Sequence, residues 1–164
     1  MVRVEGVFVP PPEPTTMTAK VELEPPVRQI DFALRDAMNR RLGEMGGRRV
    51  VDLEKRRLLA AGRDDLTGKL GWVSNTSGNG LGYDIVSFGH ECGDELHLEV
   101  KTTTLGRHFP FMVSANEVRV SAREPDAYML YRVFGFSREP KVYVLKGAIE
   151  AACRLAATMY RATI

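Results

Sequence analysis

The chain has 164 residues, 44% of them hydrophobic and 27% charged, a balance that suits one globular domain with a short extension and excludes a disordered polyelectrolyte. At this length one core can bury roughly two-thirds of the unfolded surface, so neither disulfides nor metal staples are required. The net charge of +2 permits a nucleic-acid partner without requiring one, and no apolar run approaches the ~20 residues that span a bilayer.

In chain order, prolines crowd residues 10–14 and 24–26, so residues 1–28 read as a poorly folded tail or linker to something upstream. The N-terminus lacks the basic and apolar regions of a signal peptide. A helix is expected over residues 27–42. A second, over residues 48–61, carries an apolar pattern at Val50, Val51, Leu53, Leu58 and Leu59, with Gly62 as its stop. Its basic runs, Arg48-Arg49 and Lys55-Arg56-Arg57, read first as a solvated helix face.

Residues 70–74 read as a short strand, and 75–80 as a loop of turn formers. Strands follow at 82–88 and 95–103, joined by a hairpin connection at 89–94. Ser114 followed by Glu117 is a capping-box signature for a helix reaching about residue 123. Residues 127–134 and 141–145 are rich in β-branched and aromatic side chains and read as strands. A C-terminal helix is expected over 148–161, with an apolar stripe at Ile149, Ala152, Leu155 and Met159. The fold class is therefore α/β: a mixed sheet flanked by helices, core order α-β-β-β-α-β-β plus a C-terminal helix. Residues 29–147 form the domain, and 148–164 pack on or extend it.

The strand at 95–103 alternates cleanly. Leu96, Leu98 and Val100 share one face; His97, Glu99, Lys101 and Thr103 share the other. If Phe88 pairs with Glu95, Asp84 falls opposite Glu99, with Cβ atoms about 4.5–5.5 Å apart. Two carboxylates at that range repel unless a cation lies between them, and a divalent ion held by oxygen ligands meets the need. Lys101 adds positive charge. A solvent-facing edge strand is the competing reading, and a one-residue slip would turn Asp84 away.

Cys92 and Cys153 are far apart and form no C-x-x-C pair, against a disulfide framework or structural zinc and in keeping with a reducing, cytoplasmic setting. His90, Glu91, Cys92 and Asp94 fit no metal-ligand spacing and suit a turn. His97 shares the Glu99 face as an ordinary strand residue, with an accessory base as the lesser reading. Walker A, G-x-S-x-G, HExxH and deaminase signatures are absent from the sequence.

Segments 61–66 (AGRDDL), 72–74 (WVS), 80–88 (GLGYDIVSF), 98–102 (LEVKT), 114–117 (SANE) and 126–133 (DAYMLYRV) together resemble the family of the NO VEIN protein C-terminal domain. That family belongs to the PD-(D/E)xK nuclease-like superfamily, with its restriction-endonuclease-like sheet. The upstream segment from Asn39 to Glu54 is similar too.

The resemblance implies a Mg²⁺ site, with Mn²⁺ as substitute, ligated by Asp84, Glu99 and the Val100 carbonyl. Lys101 would position the attacking water. Tyr83 stands where the superfamily has Pro, and Gly47 stands where the family pattern carries a Glu; Glu54 is the expected replacement, with Glu44 second. Asn116 and Arg107 are nucleic-acid candidates; Glu117 could also reach toward the nucleic acid, although capping alone explains it. The implied activity is metal-dependent endonuclease cleavage of DNA, in a restriction or defence setting. The alternatives are an inactive nucleic-acid-binding module and an assembly domain, and a homodimer or an associated upstream domain is a further expectation.

Overall fold

The computed structural model describes residues 6–13, 32–73, 80–157 and 163, and of residues 32–37 the backbone only. Its elements are helix α1 (Phe32–Ala60), helix α2 (Asp64–Thr67), strands β1 (Gly71–Trp72), β2 (Ile85–Phe88) and β3 (Glu95–Thr102), helix α3 (Ala115–Arg123), strands β4 (Tyr128–Phe134) and β5 (Lys141–Lys146), and helix α4 (Ile149–Ala152). The strands form one sheet in the order β1-β2-β3-β4-β5. All neighbours are antiparallel except β3 and β4, which run parallel. This is the expected mixed α/β sheet, with α3 making the crossover that a parallel pair needs.

Both faces of the sheet carry apolar packing, as is usual around a parallel pair. Leu98 and Val100 join Val50 and Leu53 of α1, Ile85, Tyr131 and Val133 in one apolar cluster. On the other face Tyr128 and Leu130 of β4 pack with Val120 of α3 and Ile149 of α4. Each fully buried aliphatic side chain stabilises by roughly 1.5–3 kcal/mol relative to exposure, so register in β3 and β4 is strongly held.

Three differences from the sequence reading have physical causes. The two expected helices are one, since α1 runs unbroken across Gly43, Gly46 and Gly47. Glycine costs about 1 kcal/mol in a helix interior and so suggests a break. Here it permits close approach: a Cβ at Gly46 would overlap Thr102 of β3, and one at Gly47 would lie 2.7 Å from the Trp72 ring. Residues 27–31 lie outside the described residues.

Next, the segment expected to be tail contributes to the domain. Val7 is buried in the core cluster, Phe8 forms a parallel bridge with Val142 of β5, and Val9 donates to the Val142 carbonyl. The C-terminal helix is also shorter than expected. It ends at Ala152, Cys153 is extended at φ −130°, and residues 153–157 are non-helical. Ile149 is buried, but Ala152 and Leu155 of the expected stripe are exposed, and an isolated short helix without tertiary packing is marginal. Residues 158–161 lie outside the described residues.

The close approach at Gly46 is testable. Gly46→Ala should lower stability by about 1–3 kcal/mol, despite alanine's better helix propensity, because the added methyl group overpacks Thr102. A urea midpoint that rises instead would show that α1 does not sit this tightly on β3.

Candidate active site

The β2–β3 hairpin has the register expected, Phe88 with Glu95 and Ile85 with Leu98, because the turn at 89–94 and the apolar alternation specify the same pairing. Asp84 sits one residue before β2. Its backbone N–H donates to the Leu98 carbonyl at 2.8 Å, and its Oδ2 accepts from the Val100 N–H at 2.9 Å. Asp84 thus brackets Glu99 from both sides. The bond from Val100 also fixes the carboxylate's direction.

Asp84, Glu99, Val100 and Lys101 line one cavity of about 390 Å³, together with Gly82 and Tyr83 of the loop before β2 and Glu117 of α3. The rest of its wall is Arg40, Gly43, Glu44 and Gly47 of α1 and Trp72 of β1. Glu99 is only 5% exposed. Burial pushes its carboxyl up to about 8; Lys101 partly offsets this, while Asp84 and Glu117 add to it. Lys101 Nζ lies 2.7 Å from Glu99 Oε1 and 2.8 Å from Glu117 Oε2. Burial opposes the Lys101 charge, but the two carboxylates outweigh it and hold its pKa above the ordinary value.

Glu117 is the residue whose second role sequence reading missed. It completes the capping box, with Ser114 N–H donating to Glu117 Oε2 at 3.1 Å and Glu117 N–H donating to Ser114 Oγ at 3.2 Å. The same Oε2 also binds Lys101. The capping motif was visible, but nothing local shows that the start of α3 reaches β3. Arg40 and Trp72 were hidden for the same reason, whereas Glu44, the second choice for the helical acid, is the one that lines the cavity.

Glu54 is the correction. It is fully buried, yet its carboxylate accepts from Arg57 at 2.7 Å, Ser87 Oγ at 2.5 Å and Tyr131 OH at 2.9 Å. Ser87 lies two residues along β2 from Ile85, and Tyr131 pairs with Val100, so both point to the α1 face. Glu99 points to the other. Glu54 does not line the cavity: it lies seven residues along α1 from Gly47, which does, whereas Glu44 lines it.

The nucleic-acid candidates also lie off the cavity wall. Asn116 donates to the Gly80 carbonyl at 3.0 Å and accepts from Arg119, tying α3 to the loop before Asp84. Arg107 donates to the Pro10 carbonyl at 3.0 Å and lines a different cavity beside Tyr143. His97 is held between Glu124 and Glu95, at 2.7 and 2.9 Å, and stacks on Tyr83. Both cysteines are free.

Among the described residues no three His, Cys, Asp or Glu side chains gather into a metal cage. The donor set does fit a hard cation that keeps several waters and takes one or two carboxylates. Burial first, and then the neighbouring Asp84 and Glu117 carboxylates, disfavour the Glu99 charge, and a bound cation would relieve both.

Two predictions follow from this geometry. Between the ordinary carboxylate range and about 8, folded Glu99 keeps a proton that the unfolded chain releases, so stability falls as pH rises through that window. Metal-free wild type should melt lower at about pH 9 than at about pH 6, and Glu99→Gln should lose that component; equal slopes would show that Glu99 titrates normally. Ser114→Ala should cost about 1 kcal/mol by uncapping α3. Glu117→Gln should cost less, since glutamine completes the same box. A Glu117→Gln loss as large as that of Ser114→Ala would place the weight on the Lys101 ion pair.

The family model described as Protein NO VEIN, C-terminal, matches residues 46–145. No curated protein and no solved structure matches the chain. The matched stretch spans β1 to β5 and holds Asp84, Glu99, Lys101 and Glu117. The chain belongs to the family of the NO VEIN protein's C-terminal domain.

Proposed function

We propose that this domain hydrolyses phosphodiester bonds in DNA with the help of a divalent cation, as an endonuclease of the PD-(D/E)xK kind. The observation that carries the reading is the joint placement of Asp84, Glu99 and Lys101 on one cavity, with Glu99 buried and its pKa raised. Asp84, Glu99 and the Val100 carbonyl would hold the ion, Mg²⁺ or Mn²⁺. When bound, such an ion supplies Lewis acidity toward a phosphate oxygen and the attacking water. Lys101 would orient that water and stabilise charge on the phosphate, and the low-exposure walls strengthen each electrostatic contact. The Asp84 carboxylate is already oriented by the Val100 N–H, so little reorganisation accompanies binding.

A second reading, nucleic-acid binding without turnover, is favoured by one observation. Where the family pattern carries a Glu, this chain has Gly47, and the Trp72 ring occupies the space a side chain would take.

Plasmid incubation with Mg²⁺ or Mn²⁺ separates the two. Wild type should nick or linearise the plasmid, and Asp84→Ala and Lys101→Ala should each lose at least about 100-fold in rate. Equal trace cleavage by all three proteins would mean contamination and sink the enzyme reading. Calorimetry with Mn²⁺ should show one site in wild type that Asp84→Ala removes.

A further inference from the structure

The continuity of α1 aligns cations that the sequence presents as separate clusters. Residues seven apart on a helix lie almost in line, drifting about 20° per heptad. Arg41, Arg48 and Lys55 therefore form one row, about 21 Å long at 1.5 Å per residue. Arg49 and Arg56 form a second row beside it. Arg41, Arg48, Lys55 and Arg56 are exposed and Arg49 is half-buried. Two exposed acids share this face: Asp52 lies between the rows, and Glu44 lies three residues after Arg41 and four before Arg48.

This distribution departs from a merely solvated helix face. Such faces interleave signs and pair them at i,i+4. Among the described residues, Arg41, Arg48, Arg49 and Lys55 have no carboxylate within ion-pair distance. The whole chain is near balance, at 23 basic to 21 acidic residues, so the excess on this face is local. Cations in excess on one face repel, which is unfavourable until a polyanion neutralises them. Arg48, Arg49 and Arg56 also edge a crevice of about 290 Å³ floored by Leu53, Phe136 and Pro140. Arg49 donates to the Pro140 carbonyl at 3.4 Å, and its Nε is buried without a partner among the described residues.

The row begins beside the candidate active site. Arg40, Gly43 and Glu44, on the same end of α1 as Arg41, line the cavity of Asp84 and Glu99. We propose that the outer face of α1 binds the backbone of duplex DNA flanking the phosphodiester presented to that cavity. The inference rests on the catalytic reading for its direction, but its cations are independent of the acidic site. Each phosphate neutralised releases counterions, so this contact gives affinity and a salt dependence without sequence preference.

The test is fluorescence anisotropy of a labelled duplex without divalent cation, over a series of salt concentrations. The variant Arg41→Gln/Arg48→Gln/Lys55→Gln should bind at least about tenfold more weakly, with a log–log salt slope shallower by about 2 to 3. Lys69→Gln/Arg138→Gln/Lys146→Gln, removing three exposed cations elsewhere, should change both far less. Unchanged affinity and slope in the α1 variant overturn the proposal, as does wild type that binds no duplex. Stronger capture by phosphatidylserine vesicles than by duplex, lost in the α1 variant, assigns the face to a membrane and also overturns it. Duplex binding lost in the α1 variant supports the proposal even if wild type neither binds Mn²⁺ nor cleaves DNA; that combination overturns the catalytic reading alone.

Discussion

A carboxylate removed from water on the face of a β-sheet has to be neutralised by a proton, a cation or several hydrogen-bond donors. Glu99 is in that position, and it cannot leave. Its strand neighbours Leu98 and Val100 are locked into the core under α1, so alternation holds Glu99 and Lys101 on the opposite face. The geometry of the candidate site is thus a consequence of how β3 buries its apolar half. Asp84 adds a second acid one strand away, and Glu117 a third from α3. Lys101 offsets two of them, through its contacts with Glu99 and Glu117.

Glu54 is the instructive contrast. It is as deeply buried as Glu99, but three side chains from three elements, Arg57, Ser87 and Tyr131, satisfy its oxygens. Burial near Glu54 holds Tyr131 protonated far above its ordinary range, and the carboxylate reinforces this. A fully partnered acid fastens α1 to β2 and β4 and has no capacity left for a ligand. An acid beside an open cavity, short of donors, keeps that capacity. Local sequence does not separate the two, since both are acidic residues in otherwise apolar segments.

What could be read in advance follows the range of the interactions involved. The hairpin register was readable because alternation in residues 95–102 and the turn before it agree. The capping box at Ser114 and Glu117 was readable because it closes within four residues. The phase of α1 was not. With residues 27–42 and 48–61 read as separate helices, Glu54 was preferred to Glu44, although Glu44 lines the cavity and Glu54 is fully partnered further along α1. Gly46 and Gly47 answer to Thr102 and Trp72, residues distant in sequence, and only tertiary packing discloses why a poor helix former is tolerated there. The same distance concealed Val7, which precedes a run of prolines in sequence but has its backbone partner, Val142, in β5.

The strand-like stretch at residues 7–9 has a consequence for the rim of the sheet. β5 is the last strand of the series, and an uncovered outer strand offers its amides and carbonyls to any extended chain that drifts past. Hydrogen bonds from Val9 to Val142 and from Val142 to Val7 occupy part of that rim, with the prolines that follow unable to extend the ladder outward. Trimming these residues as a dispensable leader would bare a template for self-association, and the first symptom would be poor solubility rather than a damaged cavity.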